Sequence, residues 1–210
     1  MRDKLKLGFM CSGNGSNMQA IINSVRHREL NASLCAMITN NPDAGAIAKA
    51  KYDGVPTFVI NEKTNGPEYD GEIVRVFLNH NVDYIVLAGY MKHLTPFVID
   101  CFQGHVLNIH PALLPKFGGK GMYGMNVHKA VLEAGEKVSG ATVHQVNSEY
   151  DAGTILGQME VAVMENDTPE TLAKRVLKAE HQLYSKVLIN ISKGLLKLEY
   201  NRPADLPTYE

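Results

Sequence analysis

The chain has 210 residues, 45% hydrophobic and 20% charged, with a formal net charge of −1. That length suits one sizeable domain, and the charge balance gives no global pull toward nucleic acid or an anionic membrane. No run approaches the roughly 18 apolar residues of a membrane span, and the first apolar segment begins too early to leave room for a signal peptide, so the expected location is cytoplasmic. Cys11, Cys35 and Cys101 are scattered, show no metal spacing or CxxC pair, and read as incidental thiols.

In chain order, short apolar runs at 5–10, 32–39, 57–60, 84–88 and 106–109 read as buried strands. Helical spacing fills the gaps at 17–27, 43–52 and 67–80, the last with Pro67 expected in its first turn. Repeated strand–helix–strand units predict a mostly parallel sheet with helices on both faces, and ligands beyond the carboxyl ends of the strands. From about Gly140 the pattern changes. Residues 141–147 and 154–163 alternate with no helix between them, which predicts an antiparallel extension of the sheet. Residues 168–193 then predict one long helix with an apolar stripe of Leu172, Val176, Ala179, Leu183, Val187 and Ile191, capped by Thr168 with Pro169 behind it. The proline-rich tail at 201–210 reads as loosely wrapped.

The first strand runs into Cys11-Ser12-Gly13-Asn14-Gly15-Ser16-Asn17. Glycines allow a tight turn, and the helix behind presents its amides and positive end, so a phosphate is the natural occupant. A dinucleotide fingerprint would want a third glycine where Met18 stands and an acid near Thr39-Asn40-Asn41, and has neither. A plain turn without ligand is the other competing reading.

Further on, Asn108 and His110 alternate along a strand and therefore share a face, with Pro111 ending it. An amide beside an imidazole offers donors for the oxyanion of an acyl transfer, although a buried pair satisfied by backbone groups would look the same. Asp151 lies in a polar turn before Gly153, where it would hold a charged imidazole or be an ordinary turn aspartate. No histidine spacing suggests a metal, and no GxSxG elbow suggests an acyl-enzyme.

With these stretches in view the chain resembles the phosphoribosylglycinamide formyltransferases, a branch of the folate-dependent formyltransferases. The resemblance runs over about 5–198 and is carried by SGNGSN (12–17), LAGYMKHL (87–94), NIHPALLP (108–115), TVH (142–144), EYDAG (149–153) and AEH (179–181). It implies one Rossmann-like formyltransferase domain over 1–210, acting in purine biosynthesis. The implied reaction moves the formyl group of 10-formyltetrahydrofolate, as co-substrate, onto the amine of glycinamide ribonucleotide, with no metal. Asn108, His110 and Asp151 are the implied catalytic residues. Gly15, Ser16, Asn17 and Glu180 are implied to bind the phosphorylated substrate. Met91, Lys92, His93, Leu94, Asn147 and Glu149, with Asn108 and Asp151, are implied to hold the folate, and Thr142 and His144 to stand behind Asp151. The implied partners are small molecules, not nucleic acid or membrane, and the implied state is a monomer or homodimer.

The chain departs from that pattern in places. The glycine-rich stretch 116–126 is longer than many relatives have, and its Lys116, Lys120 and Tyr123 are either ligand contacts or solvated loop residues. Gly66 and Leu177 stand where relatives place polar contacts. The alternatives are another folate-dependent formyl transfer, hydrolysis of the same carrier, or a phosphate-ligand binding protein without catalysis.

Overall fold

A computed structural model describes residues 3–198; the tail expected at 201–210 lies outside them. Seven strands form one sheet in the order β3-β2-β1-β4-β5-β6-β7. They are β1 Leu5–Met10, β2 Ala32–Thr39, β3 Thr57–Val59, β4 Tyr84–Leu87, β5 Val106–His110, β6 Val138–Gln145 and β7 Ile155–Ala162. The first five pair in parallel, while β6 runs antiparallel to β5 and β7 antiparallel to β6. The mostly parallel sheet with an antiparallel extension is therefore as expected, with strand ends within a residue of the expected runs except in β6, which starts three residues earlier and ends two earlier than 141–147.

Side chains alternate across the sheet, so each strand feeds two cores. Leu7 and Phe9 face α1 (Ser16–Arg26) and the long C-terminal α7 (Pro169–Ser192), whose predicted stripe is buried at all six positions. Met10, Ala36 and Ile38 face α4 (Tyr69–Asn79) and α5 (Pro96–Cys101). A fully buried aliphatic side chain contributes about 1.5–3 kcal/mol, so both faces are needed to hold the sheet. Gly8 is small for a packing reason: a Cβ there would meet the Phe77 ring at 2.6 Å.

One expectation changes. The helix expected at 67–80 forms as α4, but Pro67 stands ahead of its cap Glu68 rather than in the first turn, and a short additional helix, α3 (Glu62–Asn65), precedes it. Gly66 ends α3 at φ 76°, a conformation that favours glycine. That is the physical reason for glycine at this departure. The α2 helix (Ala46–Tyr52) likewise starts later than its sequence suggested.

The strand order reverses between β1 and β4. Met10 pairs with Leu87, and Leu87 with Asn108, so the carboxyl ends of β1, β4 and β5 lie side by side where ligands of such sheets bind.

Candidate functional site

The glycine-rich turn leaves β1 at Met10 and enters α1 through Gly15, which sits at φ 67° with no side-chain cap on the helix. The first-turn amides of α1 therefore face outward without a side-chain acceptor, which is how a helix end receives an anion. Lys49 braces the turn from α2, donating to the Asn14 carbonyl at 2.5 Å and to its Oδ1 at 2.7 Å. Asn17 is buried and its Nδ2 donates to Glu180 Oε2 at 2.7 Å, across from α7. Its Oδ1 has no partner among the described residues. Burial raises the Glu180 carboxyl above its ordinary value, with the Asn17 bond opposing. Gly15, Ser16, Asn17 and Glu180 are thus brought together around a buried amide oxygen without a partner among the described residues.

At the end of β5 the antiparallel register sets Asn108 opposite His144, and His110 opposite Thr142. Asn108 Nδ2 lies 3.1 Å from His144 Nε2, while His144 Nδ1 lies 2.8 Å from the Gln145 carbonyl. A carbonyl only accepts, so His144 carries its proton on Nδ1 and its Nε2 accepts from the amide. That bond uses one of the two N–H groups of Asn108 and fixes its direction.

His110 is 3% exposed, and its Nε2 lies 2.7 Å from the Phe117 carbonyl. The same logic keeps the proton on Nε2, so the imidazole titrates at Nδ1, which lies 3.5 Å from Asp151 Oδ2. Asp151 also stands 3.5 Å from His144 Nε2 through Oδ1 and accepts from Gly119 N–H at 2.9 Å. Both Phe117 and Asp151 have left-handed backbones, φ 56° and 54°, which turn these groups inward. Burial pushes the His110 pKa down, and the Asp151 carboxylate and the Phe117 carbonyl pull against it. Burial would raise the Asp151 carboxyl, but the neighbouring His144 and His110 rings and the Gly119 N–H together hold it below its ordinary value.

The remaining predicted residues lie on the segments after β4 and after β6. Met91, Lys92 and His93 are exposed and Leu94 is buried. Asn147 Oδ1 accepts from Glu149 N–H at 3.0 Å, and the Tyr150 ring lies 4.4 Å from that of His93, so the two segments touch at that point. Thr142 serves a different place from the one expected. Its hydroxyl donates to the Ala112 carbonyl and accepts from Leu114 N–H and Gln158 Nε2, holding the turn after His110 rather than Asp151. Lys116 is taken up by Glu136 at 2.9 Å, and Lys120 and Tyr123 are exposed. A cavity of about 300 Å³ lined by Leu113, Lys116, Phe117, Val138, Ser139 and others includes the loop residue Lys116 but none of the residues implied to be catalytic or to bind substrate or folate.

Sequence reasoning missed the backbone groups of Phe117 and Gly119 and the side chain of Lys49. No motif marks a carbonyl or an N–H that a fold has turned inward. Among the described residues no group of three or more His, Cys, Asp or Glu is placed to hold a metal ion.

A doubly wound sheet with an amide, an imidazole and a carboxylate meeting at a strand end defines a class of acyl-transfer proteins, and residues 5–188 match the formyl transferase family. The chain belongs to that family. It is 45% identical over 196 residues to the chloroplastic phosphoribosylglycinamide formyltransferase of Arabidopsis thaliana, covering 91% of this chain and 67% of that one. It is 37% identical to the phosphoribosylglycinamide formyltransferase of Haemophilus influenzae, covering 93% and 91%. The solved phosphoribosylglycinamide formyltransferase of Brucella melitensis superposes with a TM-score of 0.84 at 37% identity, covering 94% and 100%. The chain spans only 59% of the Vigna unguiculata relative and about a fifth of the vertebrate trifunctional purine biosynthetic proteins it also matches.

Proposed function

We propose that this chain transfers the formyl group of 10-formyltetrahydrofolate to the amine of 5′-phosphoribosylglycinamide, a step in purine biosynthesis. The observation that carries the reading is the fixed orientation of His110, whose Nε2 is committed to the Phe117 carbonyl so that Nδ1 faces Asp151 and the site. Gly15, Ser16 and Asn17 take the phosphate on the amides of the α1 turn. Asn17 Oδ1 and Glu180 receive donors of the same substrate. The folate lies between Met91, Lys92, His93 and Leu94 on one side and Asn147, Glu149 and Asp151 on the other.

The neutral amine attacks the formyl carbon, and the carbonyl π pair moves onto oxygen. The second N–H of Asn108 and a protonated His110 Nδ1 receive the oxyanion. Asp151 offsets the charge on His110 and passes the proton released by the amine toward the folate nitrogen. The carbon–nitrogen bond to the folate then breaks. No covalent bond to the protein forms. His144 positions Asn108, and Thr142 positions the turn behind His110. The reaction passes a formyl group between two small soluble molecules and calls for no membrane or nucleic acid; a cytoplasmic location is part of the same proposal.

The test follows loss of 10-formyltetrahydrofolate with and without glycinamide ribonucleotide, for the wild type and His110→Ala. Turnover that depends on the ribonucleotide and collapses in the variant supports the reading. Folate consumption without any amine would make the protein a hydrolase and overturn it.

A further inference from the structure

We propose that Ser12 couples the two halves of the site, so that a phosphorylated substrate on the turn at 15–17 and a folate against 91–94 strengthen each other's binding. The inference rests on the function proposed above and adds a positioning residue to it. Ser12 follows β1 at the point where the sheet order reverses, and it is tied in several directions. Its N–H donates to the Gly89 carbonyl at 3.0 Å. Its hydroxyl accepts from Met91 N–H at 2.8 Å and donates to Asn40 Oδ1 at 2.6 Å. Its own carbonyl accepts from Asn41 Nδ2 at 3.2 Å. Two of these bonds join the glycine-rich turn to the segment that carries Met91, Lys92 and His93. The other two hold the same residue to the loop after β2.

A serine hydroxyl has one proton. Giving it to Asn40 leaves the oxygen's lone pairs for the Met91 N–H, and bonds in such a chain polarise one another. The far side of the turn is already clamped, by Lys49 on Asn14 and by Ala46 N–H on the Gly13 carbonyl at 3.1 Å. The turn therefore settles on a phosphate largely as a unit, and Ser12 is the part of that unit bonded to Met91. A ligand that orders either side lowers the ordering cost left for the other. Linkage makes the effect reciprocal.

The experiment measures the Kd of tetrahydrofolate, which has no formyl group to transfer, with and without saturating glycinamide ribonucleotide. In the wild type the ribonucleotide should tighten folate binding by about fivefold or more, the lower end of ordinary coupling between sites. In Ser12→Ala the ratio should fall toward one, and Ser12→Thr, which keeps the hydroxyl, should restore it. A merely structural defect would weaken both ligands without changing that ratio. If Ser12→Ala does not fold, Asn40→Ala gives the second reading, since it removes the hydroxyl's acceptor and should lower the ratio. A wild-type ratio of one, or a ratio unchanged in the variants, overturns the coupling while leaving the proposed function standing. A folded wild type that binds neither ligand overturns the function and the coupling with it.

Discussion

Replacing Asp151 with asparagine removes one charge and almost no volume. Asparagine tolerates the left-handed backbone that Asp151 adopts, and its carbonyl oxygen can still accept from Gly119 N–H. What disappears is the carboxylate 3.5 Å from His110 Nδ1. Unit charges at 3.5 Å attract by about 4.7 kcal/mol at an effective dielectric of about 20, and the amide dipole recovers part of that, leaving a net loss of about 2–4 kcal/mol. The burial that already disfavours the imidazolium of His110 would then be unopposed by its nearest anion. Turnover should fall about 30- to 1,000-fold, while the KM for the phosphorylated substrate, held on the turn at 15–17, should move little. The limb on which activity declines with rising pH should shift to lower pH, because His110 gives up its proton sooner. Steady-state formyl transfer across the neutral pH range, with histidine NMR titrations on the same samples, measures both effects. A loss smaller than about tenfold together with an unmoved limb would refute the idea that Asp151 sustains the charge on His110.

Gly15→Ala would place a Cβ 2.7 Å from that of Ala46 on a backbone at φ 67°. It should cost about 1–3 kcal/mol in strain and raise the KM for the phosphorylated substrate more than that for folate, as melting curves and paired KM values would show. Tyr184 is fully buried and its hydroxyl donates to the carbonyls of Leu107 at 2.8 Å and Leu87 at 3.3 Å. Tyr184→Phe leaves both without that donor and should cost about 1–3 kcal/mol in urea denaturation. Burial lowers the pKa values of His105, His110, His128 and His181. Their unfolded forms take up protons first as pH falls, so stability present above the ordinary histidine value of about 6.5 should be lost progressively below it. Urea midpoints on either side of that value check the sign, and a midpoint that rises on acidification would contradict it.

Much of the fold was legible because burial on both faces of a parallel sheet writes itself as short continuous apolar runs. β1 and β2 match their runs to the residue, and α7 was visible from a stripe spaced by three and four together with Thr168 and Pro169. α3 was not legible, since four residues are too few for periodicity to register. Its signature is instead a capping box, Asn61 with Thr64, and reading Pro67 as a helix start hid it.

The site was legible where a side chain acts and illegible where the backbone does. Asn108 and His110 could be placed on one face from strand alternation alone, because that needs only the period of two. His144 needed the register of β5 against β6, which one sequence does not carry, and so its bond to Asn108 could not be foreseen. The Phe117 carbonyl is the clearest case. It decides which nitrogen of His110 titrates, yet any residue has a carbonyl, and what matters is a backbone at φ 56° that aims it. A histidine and an aspartate in sequence name a possible pair. The loop between them selects the nitrogen that faces the carboxylate, and with it the atom at which an oxyanion would be met.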